Sequence, residues 1–195
     1  MVIAVYGGAG SGKSEVLRIL AEKHGALVIS ADQTAHQLYE KGEEGYLAVR
    51  EMFGDSILTE GEIDRRKLGN ILYADPVKMK AVNAVIHPMV YRKIGEIVLQ
   101  NPGRLIIQEQ AVLPDPVPAY VDSIWYIHTE ASIRRQRLKT TRGYTDERVD
   151  EILRAQPTEA AFAQAADMII ENNGTLKELE EKINETLEYC KREQR

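Results

Sequence analysis

Apolar positions along the chain fall into two periods. Contiguous apolar runs, "VIAVY" (2–6), "ALVIS" (26–30), "RLIIQEQ" (104–110), "SIWYIHT" (123–129) and "ADMIIENNG" (166–174), are short and end in glycine, proline or polar residues. That pattern predicts five strands, with "VIAVY" and "ALVIS" read as buried ones. Elsewhere the apolar residues recur every three to four positions. Val16, Leu17, Leu20 and Ala21 share one face of a helix that begins near Lys13. Strand, loop, helix and strand within about 30 residues make a βαβ opening, and hence a parallel sheet with helices on its faces. From Ala31 to Gln100 no β run is expected. "ADQTAHQLYEKG", "GYLAVREMFGD", "DRRKLGNILYAD" and "PVKMKAVNAVIHPMVYRKIGEIVLQN" each read as helix, punctuated by Gly or Asp. So much helix between two strands exceeds a simple crossover and reads as a helical insertion on the substrate side.

After the third strand comes the proline-rich "LPDPVPAY". After the fourth comes a helical segment, "EASIRRQRLKTTRGYTDERVDEILRAQ", with a turn at "TTRGYT". The last helix opens on Thr175 and Glu178, spaced as a capping box. Its stripe of Leu176, Leu179, Ile183, Leu187 and Cys190 is assigned to the core, and "EEKINETLEYCKREQR" to a solvated helix end that frays. The fold class is therefore α/β, a five-stranded parallel sheet flanked by helices.

Composition narrows the function classes. At 195 residues the chain suits one domain with a small insertion. A net charge of -5 disfavours a nucleic-acid binder working through phosphate contacts. The lone cysteine, Cys190, cannot form an internal disulfide, which fits a reducing compartment. No apolar run approaches a membrane span and no secretory signal is visible, so a cytoplasmic protein, free of membrane, is expected.

Candidate chemistry begins at Gly7–Ser14, "GGAGSGKS", which fits G-x-x-x-x-G-K-[ST]. The glycines permit a tight turn whose amides point inward as an anion nest. The helix that follows adds the positive end of its dipole. Gly8, Ala9, Gly10, Ser11 and Gly12 would cradle the phosphates of ATP. Lys13 would reach the β- and γ-phosphates, and the Ser14 hydroxyl would ligate Mg²⁺.

Asp32 ends "VISAD" at the carboxyl edge of the second strand, where open α/β sheets gather their ligands. It is read as the acceptor of a proton from an attacking hydroxyl, as a holder of Mg²⁺ through water, or as a helix N-cap. Glu109 ends the third strand and is either near the metal or a solvated strand end. Arg134, Arg135, Arg137, Lys139 and Arg142 form a basic run with no acid from Ser132 to Gly143. In an acidic chain such a run suits a mobile lid that brings cations to a transferring phosphoryl group, or else a solvated helix face.

The ordered series "GGAGSGKS", "VISAD", "FGDSILTEGEIDRRKL", "VIHPMV", "ILRAQ" and "ADMIIENNG" resembles the dephospho-coenzyme A kinases over nearly the whole chain. The glycine loop is generic. G-x-I-D-R-x-x-L followed by "HP", and "NNG" after the last strand, are far more specific. The resemblance implies a P-loop kinase core at about 1–31, 102–130 and 156–195, with a helical acceptor-side insertion at about 32–101 and a small lid at about 131–155. It implies that ATP, with Mg²⁺, phosphorylates the ribose 3′-hydroxyl of dephospho-coenzyme A. The alternatives are a related nucleoside-monophosphate or other small-molecule kinase, or a non-catalytic ATP-binding regulator, and a monomer or weak homo-oligomer is expected.

Carried over, Asp32 is the acid facing the 3′-hydroxyl, and Arg65, His87 and Leu113 lie on the acceptor side. Arg142 is the lid arginine, with Arg137 as second candidate. Asn172 and Asn173 lie near the adenine. Without the family, Arg65 reads as a surface charge and His87 as a buried imidazole tied to a backbone carbonyl. Two departures stand out. Ser30 replaces the first acid of the family's D-A-D. "AVLPDP" replaces "PLL" and its following acid, with Asp115 in the acid's place and Pro114, Pro116 and Pro118 stiffening the loop.

Overall fold

The computed structural model describes residues 1–110 and 116–193. Leu113, Val112, Pro114 and Asp115 lie outside the described residues. The chain divides into two compact units, one of Met1–Val28 with Gly103–Arg195 and one of Ile29–Pro102.

The first unit is built on the sheet. β1 (Val2–Tyr6), β2 (Leu27–Ser30), β5 (Ile106–Glu109), β6 (Ser123–His128) and β7 (Met168–Glu171) form a five-stranded parallel sheet in the order β2-β5-β1-β6-β7. β1 is central. Val5 lies opposite Glu109 on one side and Trp125 on the other, and Trp125 in turn faces Met168.

Alternation along the strands separates two layers. Ile3, Val5, Trp125 and Ile127 pack on α1 (Lys13–His24), through Val16, Ile19 and Leu20, and on α9 (Leu176–Glu193), through Leu179, Ile183 and Leu187. Ala4, Tyr6, Ile124 and Tyr126 form the opposite layer with Phe162 of α8 (Glu159–Gln164). The Tyr6 hydroxyl donates to the Phe162 carbonyl at 2.5 Å, and burial pushes its pKa up to about 12.

α9 opens on its capping box. The Thr175 amide donates to Glu178 Oε2 at 2.7 Å and the Glu178 amide returns a bond to Thr175 Oγ1 at 3.3 Å. Two expectations about this helix change. Leu176, the first residue of α9, is exposed. The final segment is not a loose end, since Ile183, Leu187 and Cys190 are core residues and the helix runs to Glu193.

The second unit is helical: α2 (Ala31–Leu38), α3 (Glu44–Phe53), α4 (Arg65–Ala74) and α5 (Pro76–Gln100). α5 packs on the other three through a stripe of Val82, Ile86, Val90 and Ile94. Each such side chain contributes roughly 1.5–3 kcal/mol when withdrawn from water. Asp64 and Asp75 cap α4 and α5, each accepting from two backbone amides. Those bonds, led by the Lys67 amide for Asp64 and the Lys78 amide for Asp75, hold both carboxyls below the usual aspartate range.

The expectation of no β structure here is corrected. β3 (Leu58–Thr59) and β4 (Glu62–Ile63) pair antiparallel around Glu60 and Gly61, both at positive φ (53° and 82°). Two such residues are what a type I′ hairpin turn requires.

Candidate active site

The loop after β1 turns tightly, with the Ser11 amide donating to the Gly8 carbonyl at 3.1 Å. Gly10 and Gly12 sit at φ 78° and 88°, in the left-handed region where a side chain is strained. Gly12 is the N-cap of α1, and among the described residues no side chain caps that helix end. A Cβ on Gly12 would also lie 2.2 Å from Asn172 Nδ2, so glycine is required there twice over. The Lys13 ammonium donates to the Gly7 carbonyl at 2.6 Å and so folds back across the loop. Ser14, in the first turn of α1, is exposed.

A set of buried polar groups braces this loop from behind. The Ser11 carbonyl accepts from Asn172 Nδ2 at 2.8 Å, from Thr129 Oγ1 at 2.9 Å and from Arg137 Nη1 at 3.5 Å. Thr129 Oγ1 also reaches the Asn172 carbonyl, which accepts from Arg137 Nη2 at 3.1 Å. Asn173 Oδ1 accepts the Glu130 amide at 2.9 Å. Asn172 and Asn173 thus tie the end of β7 to the loop and to Glu130, the N-cap of the helix Ala131–Arg142. The Ser11 hydroxyl itself is buried, and among the described residues it has no hydrogen-bond partner.

The basic run lies on α6 (Ala131–Arg142), which Gly143 ends before α7 (Asp146–Arg154). Its members separate by helical phase. Arg134 and Arg137, three apart, face the glycine loop: Arg134 Nε donates to the Ala9 carbonyl at 3.0 Å. Arg135 pairs with Asp146 and Asp150, and Lys139 with Asp146, binding the two helices of this segment together. Arg142 is the last residue of α6, exposed, and among the described residues its side chain makes no hydrogen bond or ion pair. Spacing did not reveal Arg134 as an inward residue, nor Gln156 as its companion, nor Thr129 as a companion of Arg137. The signal, a three-residue step along α6, is visible only once one contact is known.

In the helical unit, Ser30 is the N-cap of α2, its hydroxyl accepting the Gln33 amide. The cap role is therefore Ser30's, and Asp32, in the first turn, is exposed. Serine where an acid was expected has this local reason, since it is among the favoured capping residues.

Arg65 opens α4 and is exposed on a cavity of about 610 Å³, lined also by His36, Tyr39, Lys41 and Glu62. Burial raises the Tyr39 hydroxyl pKa. The hairpin supplies one wall of this cavity, and the Tyr46 hydroxyl steadies it by donating to the Gly61 carbonyl at 2.8 Å. His87 is not a buried imidazole tied to a carbonyl. It is exposed on α5 with its ring edge-on to Tyr91, 6.2 Å between centroids, and loss of hydration on that flank lowers its pKa.

Among the described residues, no cluster of three His, Cys, Asp or Glu could hold a metal by itself. Mg²⁺ asks for less. It keeps most of its waters and needs one or two protein oxygens beside phosphate. An exposed hydroxyl at Ser14, in the first turn of α1 beside the glycine loop, fits that requirement. Glu109 ends β5, partly buried, one strand from the loop.

Known proteins resemble the whole chain. The family model described as dephospho-CoA kinase matches residues 1–178. The dephospho-CoA kinase of Thermobifida fusca is 35% identical over 193 residues, covering 97% of this chain and 96% of its own. That of Carboxydothermus hydrogenoformans is 31% identical over 195 residues, covering 97% and 94%. A solved Thermus thermophilus protein superposes with a TM-score of 0.79 at 27% identity, covering 97% of each chain. Shikimate kinase from Acinetobacter baumannii shares the fold at a TM-score of 0.55 and 15% identity, covering 96% and 93%.

Proposed function

The chain belongs to the dephospho-CoA kinase family, and we propose that it transfers the γ-phosphoryl group of ATP to the ribose 3′-hydroxyl of dephospho-coenzyme A, giving coenzyme A and ADP. The observation that carries this reading is a complete phosphate loop in a chain matched by that family over residues 1–178.

The phosphates of ATP lie over Gly8–Ser14, where converging amides and the dipole of α1 favour negative charge. Lys13 leaves the Gly7 carbonyl for the β- and γ-phosphates. The 3′-oxygen attacks phosphorus, the bond to the β,γ-bridging oxygen breaks, and Asp32 accepts the hydroxyl proton. The transition state is loose, so position and charge outweigh proton removal. Arg137 stands at the loop, and Arg142 moves in as the α6–α7 segment closes. The adenine lies by Asn172 and Asn173. Mg²⁺, when bound, screens the phosphate charge, and Ser14 is the side chain that would hold it, with Asp32 or Glu109 through water.

Acceptor binding falls to the helical unit. The cavity at Arg65 supplies cationic groups, Arg65 and Lys41, suited to the acceptor's phosphates. His87 lies on this acceptor side, as does Leu113 outside the described residues. No helix among the described residues is long and apolar enough to cross a membrane. A cytoplasmic monomer or weak homo-oligomer suits the buried lone cysteine and the acidic surface.

The test is ADP release from Mg·ATP with and without dephospho-coenzyme A, with chromatography for coenzyme A. Acceptor-dependent ADP and a coenzyme A peak are expected. ADP release indifferent to the acceptor, or ATP binding without turnover, would sink the proposal.

A further inference from the structure

Arg134 differs from its neighbours on α6. It is 6% exposed, and a guanidinium withdrawn from water to that degree is tolerated only with partners. Its Nε donates to the Ala9 carbonyl at 3.0 Å, its Nη2 donates to Gln156 Oε1 at 2.5 Å, and its Nη1 lies 3.8 Å from Glu159. The same Gln156 oxygen accepts the Ala9 amide at 3.2 Å. Both backbone polar atoms of Ala9, at the bend between Gly8 and Gly10, are thus held by two side chains bonded to each other. Gly8 makes room for the arrangement, since a Cβ there would lie 2.1 Å from Arg134 Nη2.

The geometry points to Arg134 and Gln156 as positioning residues for ATP, a clamp on Ala9 that sets the bend of the glycine loop before nucleotide arrives. Neither group need touch the transferring phosphoryl. They act through the loop, whose ordering is then completed on folding rather than at the moment of binding. Lysine cannot replace Arg134, because one ammonium on a flexible stem does not present the planar fork that reaches Ala9 and Gln156 together. The inference rests on the loop being the ATP site.

The experiment measures ATP affinity by calorimetry on the full chain, with melting temperature and acceptor KM alongside, for wild type, Arg134→Ala, Arg134→Lys, Gln156→Ala, Gly8→Ala and the Gly8→Ala/Arg134→Ala pair. Arg134→Ala is expected to weaken ATP binding about tenfold, with acceptor KM unchanged and little rescue by lysine. Gly8→Ala, which evicts the guanidinium, should do the same, and the pair should cost no more than either alone. Gln156→Ala, at a half-buried position, should show a smaller loss of the same kind and keeps the test intact if Arg134→Ala fails to fold. Wild-type affinity in both Arg134→Ala and Gln156→Ala overturns the clamp, as do additive losses in the pair or an equal rise in acceptor KM. A wild-type chain that binds no ATP overturns the underlying assignment of the loop instead.

Discussion

Around the glycine loop, the side chains of Thr129, Arg134 and Asn172 are buried and bonded to the backbone carbonyls of Ser11 and Ala9. In the helical unit, Lys41, Glu62 and Arg65 stand exposed around an open cavity, and ion pairs such as Lys93–Glu43 lie at the surface. The two regions hold their polar groups by different physics. Buried, mutually satisfied groups cost desolvation once, on folding, and are then rigid. Exposed charges keep their hydration and their rotamers, so each interaction with a ligand is weaker but can adapt. A triphosphate concentrates its negative charge in a short, compact chain and suits the first solution. A long acceptor with many rotatable bonds suits the second.

Removing Lys13 tests the rigid side most severely. Lys13→Ala should lower kcat by roughly 10²–10³-fold, with the fold intact by circular dichroism. Turnover within a few-fold of wild type would show that the loop does not do the electrostatic work assigned to it. Next comes Asp32→Asn, expected to lower kcat on the order of 10²-fold at unchanged melting temperature, because Ser30 and not Asp32 holds the cap of α2. Near-normal turnover would remove the base role. Arg65→Ala should sharpen the contrast: acceptor KM rises on the order of tenfold, one charge-assisted hydrogen bond, while ATP affinity is untouched. Equal changes in both constants would mean that the two regions do not divide the substrates as proposed.

The smallest effect concerns acid stability of the helical unit. Asp64 and Asp75 have folded pKa values below their unfolded ones. Their contribution is complete above about pH 4, the unfolded aspartate range, and is lost as pH falls through the lower folded values. Asp64→Asn with Asp75→Asn keeps a capping side chain but removes the titration. Melting temperature should then fall less steeply between neutral and acid pH than in wild type. An unchanged slope would locate the acid-sensitive groups elsewhere.

The fold was largely legible because its inner strands β1 and β6 are buried on both faces and appear as apolar runs, while the edge strand β7 kept its apolar run although Ile169 is exposed. The loop was legible because its glycines answer to backbone geometry alone. The hairpin at 58–63 was missed although "TEGE" carries its turn signal, since strands of two residues have no period to detect. Arg134 was missed for another reason. Its partners, Ala9 and Gln156, lie 125 and 22 residues away, and a long-range bond leaves no local trace. Ser30 looked like a loss when compared with an acid at that position, and its capping bond supplied the missing cause.

The Ser11 carbonyl carries a consequence for the order in which the protein acquires its properties. Its donors, Thr129, Arg137 and Asn172, follow it by 118, 126 and 161 residues. On a ribosome the loop is among the first segments to emerge, yet the groups that brace it come among the last. Nucleotide affinity is then a late acquisition of the nascent chain, and ATP reports a finished molecule. Truncation products ending before Asn172 are expected to hold helix and sheet signals without saturable ATP binding, and tight binding by such a fragment would refute this timing.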